Sequence, residues 1–351
     1  MKRRVFLQGA GSAAAGALAA RSEETPRRRV SEAPPRKVIL GTVVQGFWVD
    51  HPGLEKRVAE LIAIIGEMQR AAQARYGRSL DLAVLPEVAL TGEAGENAPA
   101  HAVAWDGAVS AAFSRKAREA HCYLIVPSYL REPGEPSRCS NAAVLVDRTG
   151  RVAGIYRKVH LVVSADGRRM EGGATPGKQF PVFACDFGKL GIQICYDIEF
   201  DLGWRELARQ GAELIAWPTQ SPQTAHPAAR ALEHRFWIVS STWRDNASVF
   251  EPTGKIAAQV RPPGRILVEE IDLSYAILPW SARLRKGKAL EERFGARIGY
   301  RYYEDEDCGL FWSNDPRTPV RRMIESLGLR EAGEELARVR ACYRAAGVPG
   351  Y

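Results

Sequence analysis

A chain of 351 residues, 46% hydrophobic and 26% charged, has the ordinary composition of a soluble globular protein with one large domain or two smaller ones. No stretch reaches the roughly 20 apolar residues that a membrane-spanning helix requires. The formal charge of +8 would point to nucleic acid if it covered the fold, but residues 1–37 hold nine Lys or Arg against three Glu, so six of the eight charges sit in the leader. The remaining body is nearly neutral, which argues against a nucleic-acid partner.

The leader follows the order of a twin-arginine export signal: Arg3 and Arg4, then Phe6 and Leu7, then the weakly apolar residues 9–20 with Ala17-Leu18-Ala19 as a small-residue cleavage site. Residues 1–20 are expected to be a signal segment for export to the periplasm or cell envelope. Residues 21–37, charged and proline-containing, are expected to be a linker.

Beyond the leader, residues 37–45 (KVILGTVVQ) are β-branched and alternating, and predict a strand. Residues 53–77 place Val58, Leu61, Ile64 and Ile65 on one helical face, and residues 80–87 (LDLAVLPE) form a short strand broken at Pro86. A helix over 107–120, strands over 122–128 and 141–146, a turn at 147–150 and a strand over 151–157 follow. The next series is strand 188–194, helix 203–211, strand 212–218, helix 224–233 and strand 236–241. Strands bounded by helices predict a covered sheet, and the interposed hairpin makes it mixed, so residues 38–275 read as one α/β domain. After residue 276 the pattern weakens to one helix over 330–347; residues 276–351 are expected to be an arm packed on the domain or on a partner subunit.

Three polar residues close apolar strands. Cys195 ends KLGIQIC (189–195) just where a helix-like stretch begins, and a thiol at such a corner lies near backbone N–H groups that favour its thiolate. Glu87 ends LDLAVLPE and Lys158 ends GRVAGIYRK (150–158). Strand ends on a shared edge converge, so the three side chains can meet. A carboxylate would then serve as general base and later general acid, the ammonium would hold an oxyanion together with the Tyr196 N–H, and the thiol would form a thioester. Taken singly, a core cysteine and two solvated strand-end charges are the commoner explanation of these residues. The six cysteines (Cys122, Cys139, Cys185, Cys195, Cys308, Cys342) make no disulfide framework, and an unpaired Cys195 leaves at least one more free thiol. There is no C-x-x-C or H-E-x-x-H, and the six histidines are scattered, so neither a metal nor a cofactor is expected.

LPEVALTG (85–92), YRKVHL (156–161) and CYDIEF (195–200) resemble, in that order, the three signature segments of the nitrilase superfamily of carbon–nitrogen hydrolases. SNAAVLVDRTGRVAGIYRKVHL, GAELIAWPT, ARALEHRFWIVSS and SVFEPTGKI extend the similarity over residues 38–275. The resemblance implies an α-β-β-α sandwich whose subunits dimerise across their helices, with Glu87 as base, Lys158 as oxyanion-holding amine and Cys195 as nucleophile. It implies hydrolysis of a small linear amide or N-carbamoyl compound. Nitrile hydrolysis or acyl transfer would use the same triad, and a catalytically silent binding or scaffold member is the alternative of a different class. The superfamily's second active-site glutamate corresponds to Glu171 in MEGGATPGKQF (170–180), with Asp166 as competitor. Asp201 stands where the superfamily usually has proline, and it is expected to cap the following helix. Tyr129, Tyr196, Trp217, Thr219 and Gln220 flank strand ends and are candidates for lining the substrate pocket, while His160 is expected to be structural.

Overall fold

In the computed structural model, residues 33–48 and 50–349 are described. The paired arginines, the cleavage site and nearly all of the linker lie outside them. The chain runs β1 (Lys37–Val43), α1 (Leu54–Tyr76), β2 (Leu82–Val84), α2 (Ala98–His101), α3 (Gly107–Ala120), β3 (Tyr123–Glu132), β4 (Glu135–Val146) and β5 (Val152–Arg157). It continues with β6 (Val182–Cys185), β7 (Gly188–Ile192), α4 (Asp201–Arg209), β8 (Leu214–Pro218), α5 (Ala225–His234), β9 (Trp237–Ser241), β10 (Ala247–Phe250), β11 (Ile256–Val260) and β12 (Ile266–Asp272). The C-terminal part holds β13 (Tyr275–Pro279), α6 (Lys288–Phe294), β14 (Ile298–Tyr303), β15 (Cys308–Ser313), α7 (Val320–Glu325) and α8 (Ala332–Ala345).

Two six-stranded sheets result, ordered β12-β1-β2-β3-β4-β5 and β11-β10-β9-β8-β7-β6. Each is mixed: β1, β2 and β3 run parallel in the first and β7, β8 and β9 in the second, with antiparallel neighbours outside them. Because both faces of each sheet are covered, apolar residues fill both parities of the strands. Val38 and Leu40 of β1 meet Leu190, Leu214 and Val239 of the other sheet, while Ile39 and Val43 pack against Leu61, Ile64, Ile65 and Met68 of α1. On the far side, Trp204 and Leu207 of α4 and Ala231 of α5 cover Ile215, Trp217 and Ile238. The layers are therefore helix, sheet, sheet, helix, as expected. α1 starts after Gly53 and stops at Gly77, both at positive φ, 93° and 65°.

Two expectations are corrected. Asp201 does not cap α4. Phe200 occupies that position, and the Asp201 carboxylate, inside the first turn, instead accepts from Arg230 at 2.8 Å and lies 3.5 Å from Arg205. Residues 276–351 hold more than one helix: β13, β15 and β14 form a three-stranded sheet that packs with α6 and α7 around Leu284, Leu290, Phe311 and Met323. Among the described residues no helix is long and apolar enough to cross a membrane.

Candidate active site

Glu87, Lys158 and Cys195 come together past the C-terminal ends of β2, β5 and β7, at the floor of a cavity of about 840 Å³. Loops at residues 93–96 and 162–172 build its walls. Three residues here hold left-handed backbone that only glycine adopts freely: Val88 (φ 45°) beside Glu87, Glu171 (φ 41°) and Cys195 itself (φ 43°). Each costs about 1–2 kcal/mol, and strain of this kind persists where the surrounding structure over-determines it.

Lys158 and Glu87 are each about 1% exposed. The Lys158 ammonium donates to Glu87 Oε1 at 2.8 Å and lies 3.0–3.1 Å from both oxygens of Glu171. Burial alone would lower the lysine pKa, but the charges of Glu87 and Glu171 outweigh it and hold the amine well above its usual value, so Lys158 is a fixed cation. One cation between two carboxylates leaves a surplus negative charge. Burial, opposed by Lys158 but reinforced by Glu87, pushes the Glu171 carboxyl above the ordinary range. The Gln220 N–H donates to Glu87 Oε2 at 3.2 Å, and the Trp243 indole donates to the Glu87 carbonyl at 2.8 Å.

Cys195 opens a short 3-10 turn (Cys195–Glu199) directly after the strand end. Burial pushes its thiol up to about 12 with Glu87 adding to the effect, while Lys158, the Thr219 hydroxyl and the Gln220 N–H oppose it. At neutral pH the sulfur is therefore a protonated thiol beside a cation and two N–H or O–H donors. A thiol so placed would need a base to take its proton before it could act as a nucleophile.

Of the pocket candidates, Tyr129 and Gln220 line the cavity, and burial raises the Tyr129 phenol above its ordinary pKa. Tyr196, Trp217 and Thr219 do not line it. Tyr196 is exposed and meets Phe200 edge-on; Trp217 is buried under the helix layer, donating to the Cys195 carbonyl at 3.1 Å. Thr219 is buried and acts on the thiol instead. Glu171, not Asp166, reaches Lys158; Asp166 accepts from Ser164 and the Arg168 N–H at the exposed tip of the loop.

Asn141 of β4 was not singled out by the sequence. Its Nδ2 donates to both Glu87 (2.9 Å) and Glu171, and its carbonyl accepts from the Lys158 N–H at 2.8 Å, so one residue holds three members of the site. The available signal was a polar residue heading the apolar run NAAVLV. Among the described residues one group of three potential metal donors forms, Asp201, Glu233 and His234 on the outer helices. Arg230 lies 2.8 Å from Asp201 and 3.5 Å from Glu233, so the chain's own cations balance these carboxylates.

An α-β-β-α sandwich with a thiol, an ammonium and two carboxylates at converging strand ends defines the class: an α/β hydrolytic enzyme with its site where strand ends of the two sheets meet. The family model of carbon–nitrogen hydrolases matches residues 43–278. The chain belongs to that family and is an enzyme acting on carbon–nitrogen bonds other than peptide bonds. A Pseudomonas protegens protein described as a hydrolase in the pqqF 5' region is 36% identical over 243 residues, covering 67% of this chain and 84% of that one. An omega-amidase of Xenopus laevis is 28% identical over 198 residues, 50% of this chain and 71% of its own. The fold recurs in a Saccharomyces cerevisiae member of branch 10 of the nitrilase superfamily (TM-score 0.58, 20% identity, 70% of this chain and 93% of that one). It recurs also in a Nesterenkonia amidase of the superfamily (TM-score 0.55, 21% identity, 68% and 92%).

Proposed function

We propose that the protein is an amidohydrolase that opens a small linear amide or N-carbamoyl compound through a thioester on Cys195. The observation that carries this reading is the buried Lys158–Glu87 pair, 2.8 Å apart, in the same cavity as Cys195. As Sγ attacks the carbonyl carbon, Glu87 takes the thiol proton and the carbonyl electron pair moves onto oxygen, where Lys158 Nζ holds it; Tyr196 is outside the cavity lining, so the second donor expected from the sequence is not part of this scheme. Collapse of this intermediate expels the amine, which receives the proton from Glu87, and leaves the acyl thioester. Water, deprotonated by Glu87, then attacks the thioester; the acid departs and the thiol regains its proton. Glu171 and Asn141 hold Lys158 and Glu87 in place for both half-reactions. A raised thiol pKa fits this scheme, because a base in contact then becomes necessary.

An amide substrate, rather than a nitrile, is favoured by relatives named omega-amidase and deaminated glutathione amidase. The test is ammonia or amine release from a panel of amides and N-carbamoyl amino acids, with intact-mass detection of a Cys195 acyl adduct. Cys195→Ala should abolish release and adduct together. Turnover that persists in Cys195→Ala would sink the proposal.

A further inference from the structure

Tyr156, Lys158 and His160 stand at alternate positions, and the two residues flanking the lysine bind one and the same carboxylate. Asp197 is fully buried. Its Oδ2 accepts from the Tyr156 hydroxyl at 2.7 Å and the Ile194 N–H at 3.0 Å; its Oδ1 accepts from the His160 N–H at 3.0 Å and lies 2.8 Å from His160 Nδ1. The Gln193 amide extends the network by donating to the Tyr156 oxygen at 3.2 Å. Ile194 precedes Cys195 and Asp197 follows it, so the carboxylate spans the turn that holds the nucleophile at φ 43°. The His160 ring also stacks on Phe200, where that turn ends, at 4.0 Å and 6°.

A buried carboxylate is costly unless hydrogen bonds compensate for lost water, and this one has four. It is absent from the cavity wall, so it does not touch substrate. Its donors come from two chain segments only: the turn that bears Cys195 and the segment that bears Lys158. We infer that Asp197 is the positioning residue that fixes the Lys158 ammonium and the Cys195 thiol relative to each other, by tying the lysine segment to the nucleophile turn through Tyr156 and His160. The inference rests on reading Lys158 as the oxyanion holder and Cys195 as the nucleophile.

Asparagine at 197 keeps the shape but offers one oxygen where two were used, and turns an N–H₂ group toward donors. The two segments then lose their common anchor. The oxyanion donor shifts from where charge develops, which lowers kcat, whereas the cavity walls that bind substrate are untouched. The same shift takes the lysine charge away from the sulfur. Since Lys158 opposes, and Glu87 and burial favour, the protonated thiol, alkylation of Cys195 should move to higher pH.

The experiment measures kcat, KM, the melting temperature and the pH profile of iodoacetamide labelling at Cys195, followed by peptide mass, in the full chain and two variants. Asp197→Asn should lose about a hundredfold in kcat with KM changed by less than about threefold. Tyr156→Phe keeps the ring packing and the other three donors, so it decides the matter if Asp197→Asn does not fold; it should lose about tenfold in kcat. Both should shift the labelling profile upward. A folded Tyr156→Phe with wild-type kcat and an unshifted profile overturns the inference, as does a kcat loss without any shift in labelling. If the wild type hydrolyses no amide, the proposed function fails, and the labelling profiles still decide the role of Asp197.

Discussion

Glu171 shows how a residue useful to the site can cost stability. Its folded pKa lies above the ordinary carboxylate range, so the folded state binds this proton more tightly than the unfolded chain does. The stability from this group is thus fully present below the unfolded pKa and is lost as pH rises through the raised folded value. Glu171→Gln removes that titration and leaves Lys158 paired with Glu87 at 2.8 Å. Relative to wild type, the variant should gain in melting temperature as pH climbs from about 4 to 8, starting from the carboxylate range. It should also lose at least about tenfold in kcat, because Lys158 is no longer held from its second side. Melts at a series of pH values check the first claim and initial rates the second; a constant offset between the two melting curves would remove the argument for a raised carboxyl. The sequence favoured Glu171 over Asp166, and it is Glu171 that reaches Lys158, but it was silent on Asn141, since an amide at the head of an apolar strand carries no sign of what it faces.

At the scale of elements, β1 to β5 and β7 to β9, with α1 and α3 to α5, were legible because each buried face repeats with its own period, whereas β6 and β10 to β12 were not read as strands. Helix α3 matches its predicted bounds, and β7 and β8 follow their apolar runs. Side-chain direction was not legible to the same degree. Trp217 stands at the end of β8, where adjacency to the site made it a pocket candidate, yet successive residues of a strand point to opposite faces. Leu214 and Ala216 face the other sheet, so Ile215 and Trp217 face the helices. The first half of β4 was missed because EPSRCS has no apolar alternation, and β14 because Tyr300, Arg301 and Tyr302 look like a charged loop. The meeting of Glu87, Lys158 and Cys195 came from the resemblance of whole segments, since convergence across two sheets leaves no spacing to read. One glycine does have a legible job in the structure. A Cβ on Gly177 would fall 2.2 Å from the Arg157 carbonyl oxygen, and the Gly177 N–H donates to the Lys158 carbonyl at 2.8 Å. Because backbone is what blocks the methyl, Gly177→Ala should cost about 1–3 kcal/mol and reduce kcat about tenfold by displacing Lys158. Wild-type melting and turnover in that variant would show that the loop can retreat without moving the lysine.

At the scale of the molecule, the C-terminal segment is fastened to both sheets by one side chain. Arg301 of β14 lies 3.2 Å from Glu251, which follows β10 in the second sheet, and 3.3 Å from Glu269 of β12 in the first. Glu251 is fully buried and Glu269 nearly so. Removing the guanidinium strands two carboxylates away from water, which is the costly way to break a buried pair. The loss is partly cushioned, because Glu251 keeps the Thr253 hydroxyl and Glu269 keeps Arg75 at 3.0 Å. Arg301→Ala should therefore destabilise by about 2–3 kcal/mol, below the full penalty for an uncompensated buried charge. Arg301→Lys should fall between, since a single ammonium retains the charge but cannot fork to two acceptors. The cavity that holds Cys195 is walled by other segments, so kcat at low temperature should stay near wild type in both variants. Chemical denaturation of the three proteins orders the stabilities, and limited proteolysis reports whether the segment after residue 276 opens first. Equal stability of Arg301→Ala and wild type would mean that the apolar contacts of Ile277 and Leu310 with the inter-sheet core hold this segment without the ion pairs.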